Sequence, residues 1–245
     1  MRSFPNVLRA ACLPSAAAAL PFPRGPAAAF MGPIPSAGPM KQADYFSKEE
    51  LFMEQFMELL KKRHSVRDYS ARQVERADLD ALLEAAYRTP NAGNRQGTRI
   101  VVSKDRALNE RLGRAQNVIY EKFNARQPLS LSDGEIASTS RSGFYNAPTV
   151  IYLFAPNQFL FAEPDSYIKA FSLCLAAAER DIDSCIISVA ADYFIDDFGK
   201  SVLKAWNIPK THHISAHVIL GYGRGKDPEQ KAWRYEAPLF VEEGR

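Results

Sequence analysis

The spacing of apolar residues along the chain predicts five helices. An S-x-x-E capping pattern at residues 47–50 begins the first, which runs to about residue 62. In the later helices apolar residues recur three, four and seven positions apart. Their positions include Leu79, Leu82, Leu83 and Ala86; Leu108, Leu112, Ala115 and Ile119; Ile168, Phe171, Leu175 and Ala178; and a last group from Phe198 to Trp206. Thr89-Pro90 ends the second helix, because the residue before proline avoids helical dihedral angles.

Shorter apolar runs predict strands between these helices. They are residues 99–103 (RIVVS), 149–155 (TVIYLFA) and 214–222 (ISAHVILGY), with a short extended piece at 186–189. The second run is apolar nearly throughout, so we expect it to be buried on both faces. Residues 125–143 are polar and predict an irregular, mobile segment. Helices and strands are mixed without regular alternation or internal repeats, which indicates an α+β fold.

Composition places a boundary near residue 43. The first forty residues contain eight of the sixteen prolines and no periodicity, so this segment cannot bury enough apolar surface to offset its ordering entropy. We therefore expect residues 1–43 to be a disordered leader and residues 44–245 a single domain. Two explanations of the leader stay open. It is either a transit-like peptide, which would direct the protein to an organelle, or sequence upstream of the true start, which leaves a cytoplasmic protein.

Charge and cysteine content argue against several classes of protein. The leader has four basic residues and no acid, so the net charge of +3 becomes −1 for residues 44–245. A near-neutral domain does not favour a nucleic-acid partner. Three cysteines are too few for a disulfide framework, and His212-His213-x3-His217 lies in a predicted strand that would point its rings both ways, so we expect no metal site. No apolar run reaches the ~18 residues of a membrane span, and we expect no membrane partner.

A cationic segment follows the first helix and contains Arg63, His64, Ser65 and Arg67. In an extended chain the side chains of alternate residues share one side, which groups Arg63, Ser65 and Arg67. A guanidinium binds phosphate through two parallel N–H bonds, and a hydroxyl adds a further donor. The segment therefore predicts a monophosphate site. The alternative is a solvated basic helix end that complements the helix dipole.

A second candidate is the loop at residues 90–97 (PNAGNRQG), which places two amides, Asn94 and Gln96, around a turn. Amide side chains can pair with the donor and acceptor edge of a ring such as a pyrimidine. The alternative is an ordinary turn, in which Asn and Gly are common.

Together, in this order and about 27 residues apart, the two segments resemble the nitroreductase family. The family's R-x-S-x-[RK]-x-[FY] pattern is matched by Arg63, Ser65, Arg67 and Tyr69, and its A-P-S-x-x-N-x-Q-P-W pattern by Pro90, Asn94 and Gln96. An aromatic–Ala-Pro–strand element at residues 144–151 and a last strand ending in Gly-Tyr extend the resemblance over about residues 53–240.

Two departures affect details of the resemblance. Gly97-Thr98 stands where the family has Pro-Trp, so one wall of a pocket would differ. Asp181-Ile182-Asp183 stands where the family has Gly-x-Gly.

The resemblance implies a central mixed or antiparallel sheet flanked by helices, in a homodimer that exchanges its C-terminal arms and binds FMN at the subunit interface. It implies hydride transfer from NAD(P)H through flavin N5 to a small nitroaromatic or quinone acceptor. Reductive dehalogenation and ene reduction are alternatives on the same fold. A basic phosphate-binding module without enzymatic activity is the rival outside the family.

The resemblance also implies roles for individual residues. Arg63 and Ser65 would hold the phosphate and ribityl end, and Arg67 would lie near the N1–O2 edge. The flavin performs the chemistry, so no side chain is expected to be catalytic. The other cofactor-binding residues that the resemblance implies are His64; Asn94 at the pyrimidine edge and Gln96; Lys231 or Arg234 on the C-terminal arm; and the backbone near Ser188 and Val189 as donor to N5.

Overall fold

The computed structural model describes residues 55–188, 192–225, 232 and 234–241. The predicted leader, the capping pattern at 47–50 and the candidates Val189 and Lys231 lie outside these residues. The described residues from 59 onward belong to one compact unit.

The described residues contain six α-helices, whose positions largely confirm the predicted periodicity. They are α1 (residues 55–62), α2 (Arg76–Tyr87), α3 (Arg106–Asn124), α4 (Asp133–Ser138), α5 (Ala162–Glu179) and α6 (Asp197–Ala205). The prediction that residues 125–143 are irregular was wrong because α4 lies there. Ser132 begins α4 with a capping box, in which its hydroxyl accepts from the Glu135 N–H and the Glu135 carboxylate accepts from the Ser132 N–H.

The four strands form one antiparallel sheet in the order β1-β2-β4-β3. They are β1 (Arg99–Ser103), β2 (Thr149–Pro156), β3 (Asp183–Ile187) and β4 (His212–Gly221). The expectation of a mixed or antiparallel sheet is confirmed. β3 begins three residues before the predicted extended piece, because the polar residues Asp183 and Ser184 pair with β4.

The core lies on both faces of this sheet, as the apolar run of β2 predicted. Val150, Tyr152 and Phe154 face one cluster, to which α3, α4 and α6 contribute, whereas Ile151 and Leu153 face the other, formed with α2 and α5. Burying one large apolar side chain contributes about 1.5–3 kcal/mol. Both faces of the sheet are therefore covered, so a binding site on the sheet would lie at one of its edges.

Residues 63–70 extend the sheet along the outer edge of β3. Ser65 forms a parallel bridge with Ser184, and the Val66 N–H donates to the Ser184 carbonyl at 3.0 Å. Further along, Tyr69 bridges Gly223. Gly221 allows this close approach, because a Cβ there would lie 2.9 Å from the Tyr69 ring.

No helix among the described residues has the length and apolar character needed to cross a lipid bilayer.

Candidate functional site

The cationic segment is held rigidly on the edge of β3. The buried Tyr69 ring anchors it, and the Tyr69 hydroxyl donates to the Val66 carbonyl at 2.8 Å. Arg63 and Ser65 are half-buried, and Arg67 is exposed. The side chains are therefore attached to a fixed backbone while their ends reach solvent.

Three of the predicted side chains influence the pKa of the Cys185 thiol on β3. Burial raises the pKa of this thiol, while Arg67, the Ser65 hydroxyl and Arg63 act in the opposite direction. Burial likewise raises the pKa of Cys174 to about 11, again opposed by Arg63. These effects agree with the bridge between Ser65 and Ser184, which places the cationic segment beside this part of β3.

Lys62 and His64, the neighbours of Arg63 in the sequence, both have partners within the protein. Lys62 forms an ion pair with Asp181, with 2.6 Å between Nζ and Oδ1. His64 turns back toward the end of α1, where its Nδ1 lies 2.9 Å from the Lys62 carbonyl oxygen. Among the residues that the structure describes, neither Arg63 nor Arg67 forms an ion pair with a carboxylate. Two guanidiniums thus remain available for an anion.

The amide loop presents its side chains to solvent. Asn94 and Gln96 are both exposed and both adopt positive φ angles of 51°. The Gln96 N–H donates to the Asn91 side-chain oxygen at 2.8 Å, and the Gln96 amide donates to the Asn94 amide oxygen at 3.0 Å. A left-handed conformation costs about 1–2 kcal/mol for a residue with a side chain. These bonds offset that cost and keep the two amides together.

Two buried charged residues of α5, Asp165 and Lys169, anchor the start of this loop. The Asp165 carboxylate accepts from the Ala92 N–H at 2.9 Å. One turn later Lys169 donates to the Ala86 carbonyl and to the Thr89 hydroxyl, both at 3.1 Å. Burial lowers the pKa of Lys169, and Asp165 opposes that shift. The loop is therefore positioned by α5 and by the end of α2.

The cationic segment and the amide loop lie at opposite ends of β4. Ser65 bridges Ser184, which pairs with Leu220, near the end of β4. At its beginning, His212 Nε2 hydrogen-bonds the Gly97 carbonyl at 3.1 Å. Eight residues separate the two points, or about 25 Å at the rise of a strand. One chain therefore does not bring the cationic segment and the amides of Asn94 and Gln96 into one pocket.

Ser188 is exposed immediately after β3, on the same edge of the sheet as Ser65. Its carbonyl accepts from the Tyr167 hydroxyl at 3.2 Å, and the preceding Ile187 carbonyl lies 3.3 Å from His217 Nδ1. Sequence reasoning missed these supporting contacts, and it considered His217 only as a metal ligand. Arg234 is exposed, in residues 234–241, which form neither helix nor strand.

The three candidate metal ligands are engaged elsewhere. His217 is buried and contacts Tyr193, His212 contacts the Gly97 carbonyl, and His213 lies 2.7 Å from a Glu163 oxygen. No group of three metal-capable side chains occurs within the described part of the chain.

Comparison with known proteins identifies the family of the chain. The sequence pattern of the nitroreductase family matches residues 60–222, and the chain belongs to that family. A curated protein from Archaeoglobus fulgidus, named provisionally as an NADH dehydrogenase/NAD(P)H nitroreductase, is 35% identical over 63 residues. That match covers 26% of this chain and only 36% of the relative.

Solved structures show the same fold at lower identity. A Bacteroides fragilis nitroreductase with bound FMN has a TM-score of 0.65 and 24% identity, covering 76% of this chain and 98% of the other. An FMN-dependent nitroreductase from Clostridium difficile has a TM-score of 0.64 and 20% identity, covering 76% of this chain and 99% of the other. An iodotyrosine deiodinase bound to FMN and 3-iodo-L-tyrosine has a TM-score of 0.55 and 24% identity, covering 76% of this chain and 98% of the other.

Proposed function

We propose that this protein binds FMN along the edge of β3 and uses it to transfer electrons from NAD(P)H to a small aromatic acceptor. Family membership supports a flavin oxidoreductase. The observation on which the proposal depends most is the position of Arg63 and Arg67 on either side of Ser65, which bridges β3 at Ser184. Neither guanidinium has a carboxylate partner among the described residues.

The chemistry of these donors fits a phosphate monoester. Each charge-assisted hydrogen bond from a guanidinium contributes about 1.5–3 kcal/mol. The nearby carboxylate of Asp183 accepts from the Gly223 N–H at 2.6 Å and forms no ion pair with Arg63 or Arg67 among the described residues. Arg234 of the C-terminal arm is a further candidate for the phosphate.

We assign the residues as follows. Arg63 and Ser65 would hold the phosphate and ribityl end, while the more exposed Arg67 would place positive charge at the pyrimidine edge. A fixed cation stabilises negative charge that develops nearby on reduction. The backbone at Ser188, about 13 Å from Ser184 along the same strand, would be a donor on the N5 side. Bound FMN would supply the hydride transfer itself, so no side chain need act as acid or base in that step.

We further propose that Asn94 and Gln96 reach the flavin of a second copy of the chain. Their distance from the cationic segment in one chain supports this arrangement. Apolar residues are exposed along α5, and the C-terminal arm exposes Leu239 and Phe240 by 88% and 79%. Exposed apolar surfaces of this kind are typical of subunit interfaces. A homodimer would cover them and complete two sites.

The test is an absorbance spectrum of the purified full-length protein before and after anaerobic addition of NADH or NADPH. We expect a flavin spectrum that either nucleotide bleaches and that an aromatic acceptor restores. A colourless protein that takes up no added FMN would refute the proposal. Bound FMN that neither nucleotide reduces would indicate a protein that stores or senses flavin.

The acceptor is a separate question with its own measurement. Turnover with a panel of nitroaromatics, quinones, halogenated phenols and conjugated alkenes distinguishes nitroreduction or quinone reduction from dehalogenation and ene reduction. The similarity of fold to an iodotyrosine deiodinase is the reason to include the halogenated compounds. Salt-sensitive nucleic-acid binding without flavin would instead support the basic binding module.

A further inference from the structure

A buried histidine and two tyrosines hold the backbone at the point where β3 leaves the sheet. The pairing of β3 with β4 ends at Ile187, opposite His217. His217 Nδ1 lies 3.3 Å from the Ile187 carbonyl oxygen, and its Nε2 lies 2.8 Å from the Tyr193 hydroxyl. On the α5 side, the Tyr167 hydroxyl donates to the Ser188 carbonyl at 3.2 Å. Two successive carbonyls are thus fixed by side chains.

The direction of the hydrogen bonds through His217 is determined. Burial lowers the pKa of His217 to about 4, although its backbone hydrogen bond to Ile187 acts in the opposite direction. The ring is therefore neutral near pH 7 and has a single N–H. A carbonyl can only accept, so Nδ1 donates to Ile187 and Nε2 accepts from the Tyr193 hydroxyl.

Aromatic side chains prevent the His217 ring from turning away. The ring centroids of Phe144, Tyr152 and Tyr193 lie 5.1, 5.5 and 5.6 Å from that of His217. All four side chains are buried. The imidazole is consequently a rigid support for the carbonyl that it binds.

Fixing a carbonyl also fixes the N–H of the same peptide group. The peptide bond is planar and trans, so the Ser188 N–H points opposite to the Ile187 carbonyl. The Tyr167 bond then restrains Ser188 from its other side. The Ser188 peptide group therefore keeps one orientation on the edge of β3.

We propose that His217, Tyr193 and Tyr167 are positioning residues for the backbone donor at Ser188. This inference rests on the proposed function, because it assigns the donor to the N5 side of a bound flavin. None of the three side chains needs to contact the flavin. They act by holding the peptide group that does.

Tyr193→Phe tests this role, because it removes the hydroxyl that donates a hydrogen bond to His217 and keeps the buried ring. Tyr152→Phe is the matched control. Its hydroxyl is also buried and donates to Asn109 at 3.0 Å, and its ring packs against the same imidazole. It takes no part in the hydrogen bonds that link Tyr193 through His217 to the Ile187 carbonyl. Tyr167→Phe provides a second variant, at a half-buried position outside the aromatic cluster around His217.

Two measurements are made on each full-length variant. Hydrogen–deuterium exchange of a peptide spanning residues 183–188 reports the mobility of the backbone without depending on activity. Single-turnover reduction at increasing NAD(P)H separates the limiting rate from the half-saturating concentration.

We expect Tyr193→Phe and Tyr167→Phe to raise exchange and to lower the limiting rate by about fivefold, the effect of one neutral hydrogen bond. The half-saturating concentration should stay the same. Tyr152→Phe should change neither quantity, although its melting temperature falls as far as that of Tyr193→Phe. If Tyr193→Phe and Tyr152→Phe bind FMN and show the same exchange and the same limiting rate, this inference alone is overturned. If the wild-type protein binds no FMN, the proposed function is overturned as well.

Discussion

Replacing Arg63 with alanine removes one of the two guanidiniums on either side of Ser65, which bridges β3 at Ser184. The side chain is half-buried and has no carboxylate partner among the described residues, so its loss leaves no acid unpaired there. The backbone contacts of the segment, from Val66 to Ser184 and from Tyr69 to Gly223, are made by other residues and should persist. The substitution therefore tests phosphate binding with little disturbance of the fold.

The expected magnitude follows from the chemistry of the bond. A charge-assisted hydrogen bond contributes about 1.5–3 kcal/mol, and solvent around a half-buried group favours the lower part of that range. A loss of about 1.5–2 kcal/mol corresponds to a dissociation constant for FMN raised about 10- to 30-fold.

The assay is titration of FMN fluorescence at low and at high salt, with Lys62→Ala as the control. Lys62 has the same charge one residue earlier, but it is already paired with Asp181 and its side chain is 46% exposed. Its loss should change the dissociation constant by no more than about threefold. Equal weakening in the two variants would mean that general positive charge, rather than a specific contact from Arg63, attracts the flavin.

Three further predictions concern neighbouring residues. Arg67→Ala should lower the flavin's reduction potential, measured against reference dyes, with less effect on FMN retention than Arg63→Ala; equal losses of retention would contradict this division. Gly221→Ala would place a Cβ 2.8 Å from Pro148 and 2.9 Å from Tyr69, and should lower the free energy of unfolding in urea by about 1–3 kcal/mol. An unchanged unfolding midpoint would refute the close contact. The pKa of His217 falls from 6.5 in the unfolded chain to about 4 in the folded protein. Its contribution to the free energy of unfolding is therefore present above pH 6.5 and is lost as the pH falls toward 4. That contribution is about 3 kcal/mol, so the stability of His217→Gln should depend less on acid than that of wild type, and equal dependence would contradict the lowered pKa.

The regular elements were predictable where local pattern determines them. β1 was predicted at its observed bounds, and β2 to within one residue, because their apolar residues reflect burial directly. The start of β3 was missed since Asp183 and Ser184 are polar, and their place in the sheet depends on pairing with β4 and on the Asp183–Gly223 bond. The capping box at Ser132 could have revealed α4, because the same pattern was used to predict the first helix.

The site was predictable only in its local parts. The grouping of Arg63, Ser65 and Arg67 follows from alternation along an extended chain. The position of the amide loop at the other end of β4 depends on sheet topology, which no local pattern specifies. The contact between Tyr193 and His217 joins residues 24 positions apart, and neither residue differs in sequence from an ordinary buried aromatic or strand histidine.

The separation of the cationic segment from the amide loop has a genetic consequence for the proposed dimer. A mixed dimer of one subunit lacking Arg63 and another lacking Asn94 would collect both defects in one site and leave the other intact. Two alleles that are each inactive alone could then complement one another inside a cell. Complementation of that kind is impossible for an enzyme whose complete site is built from a single chain.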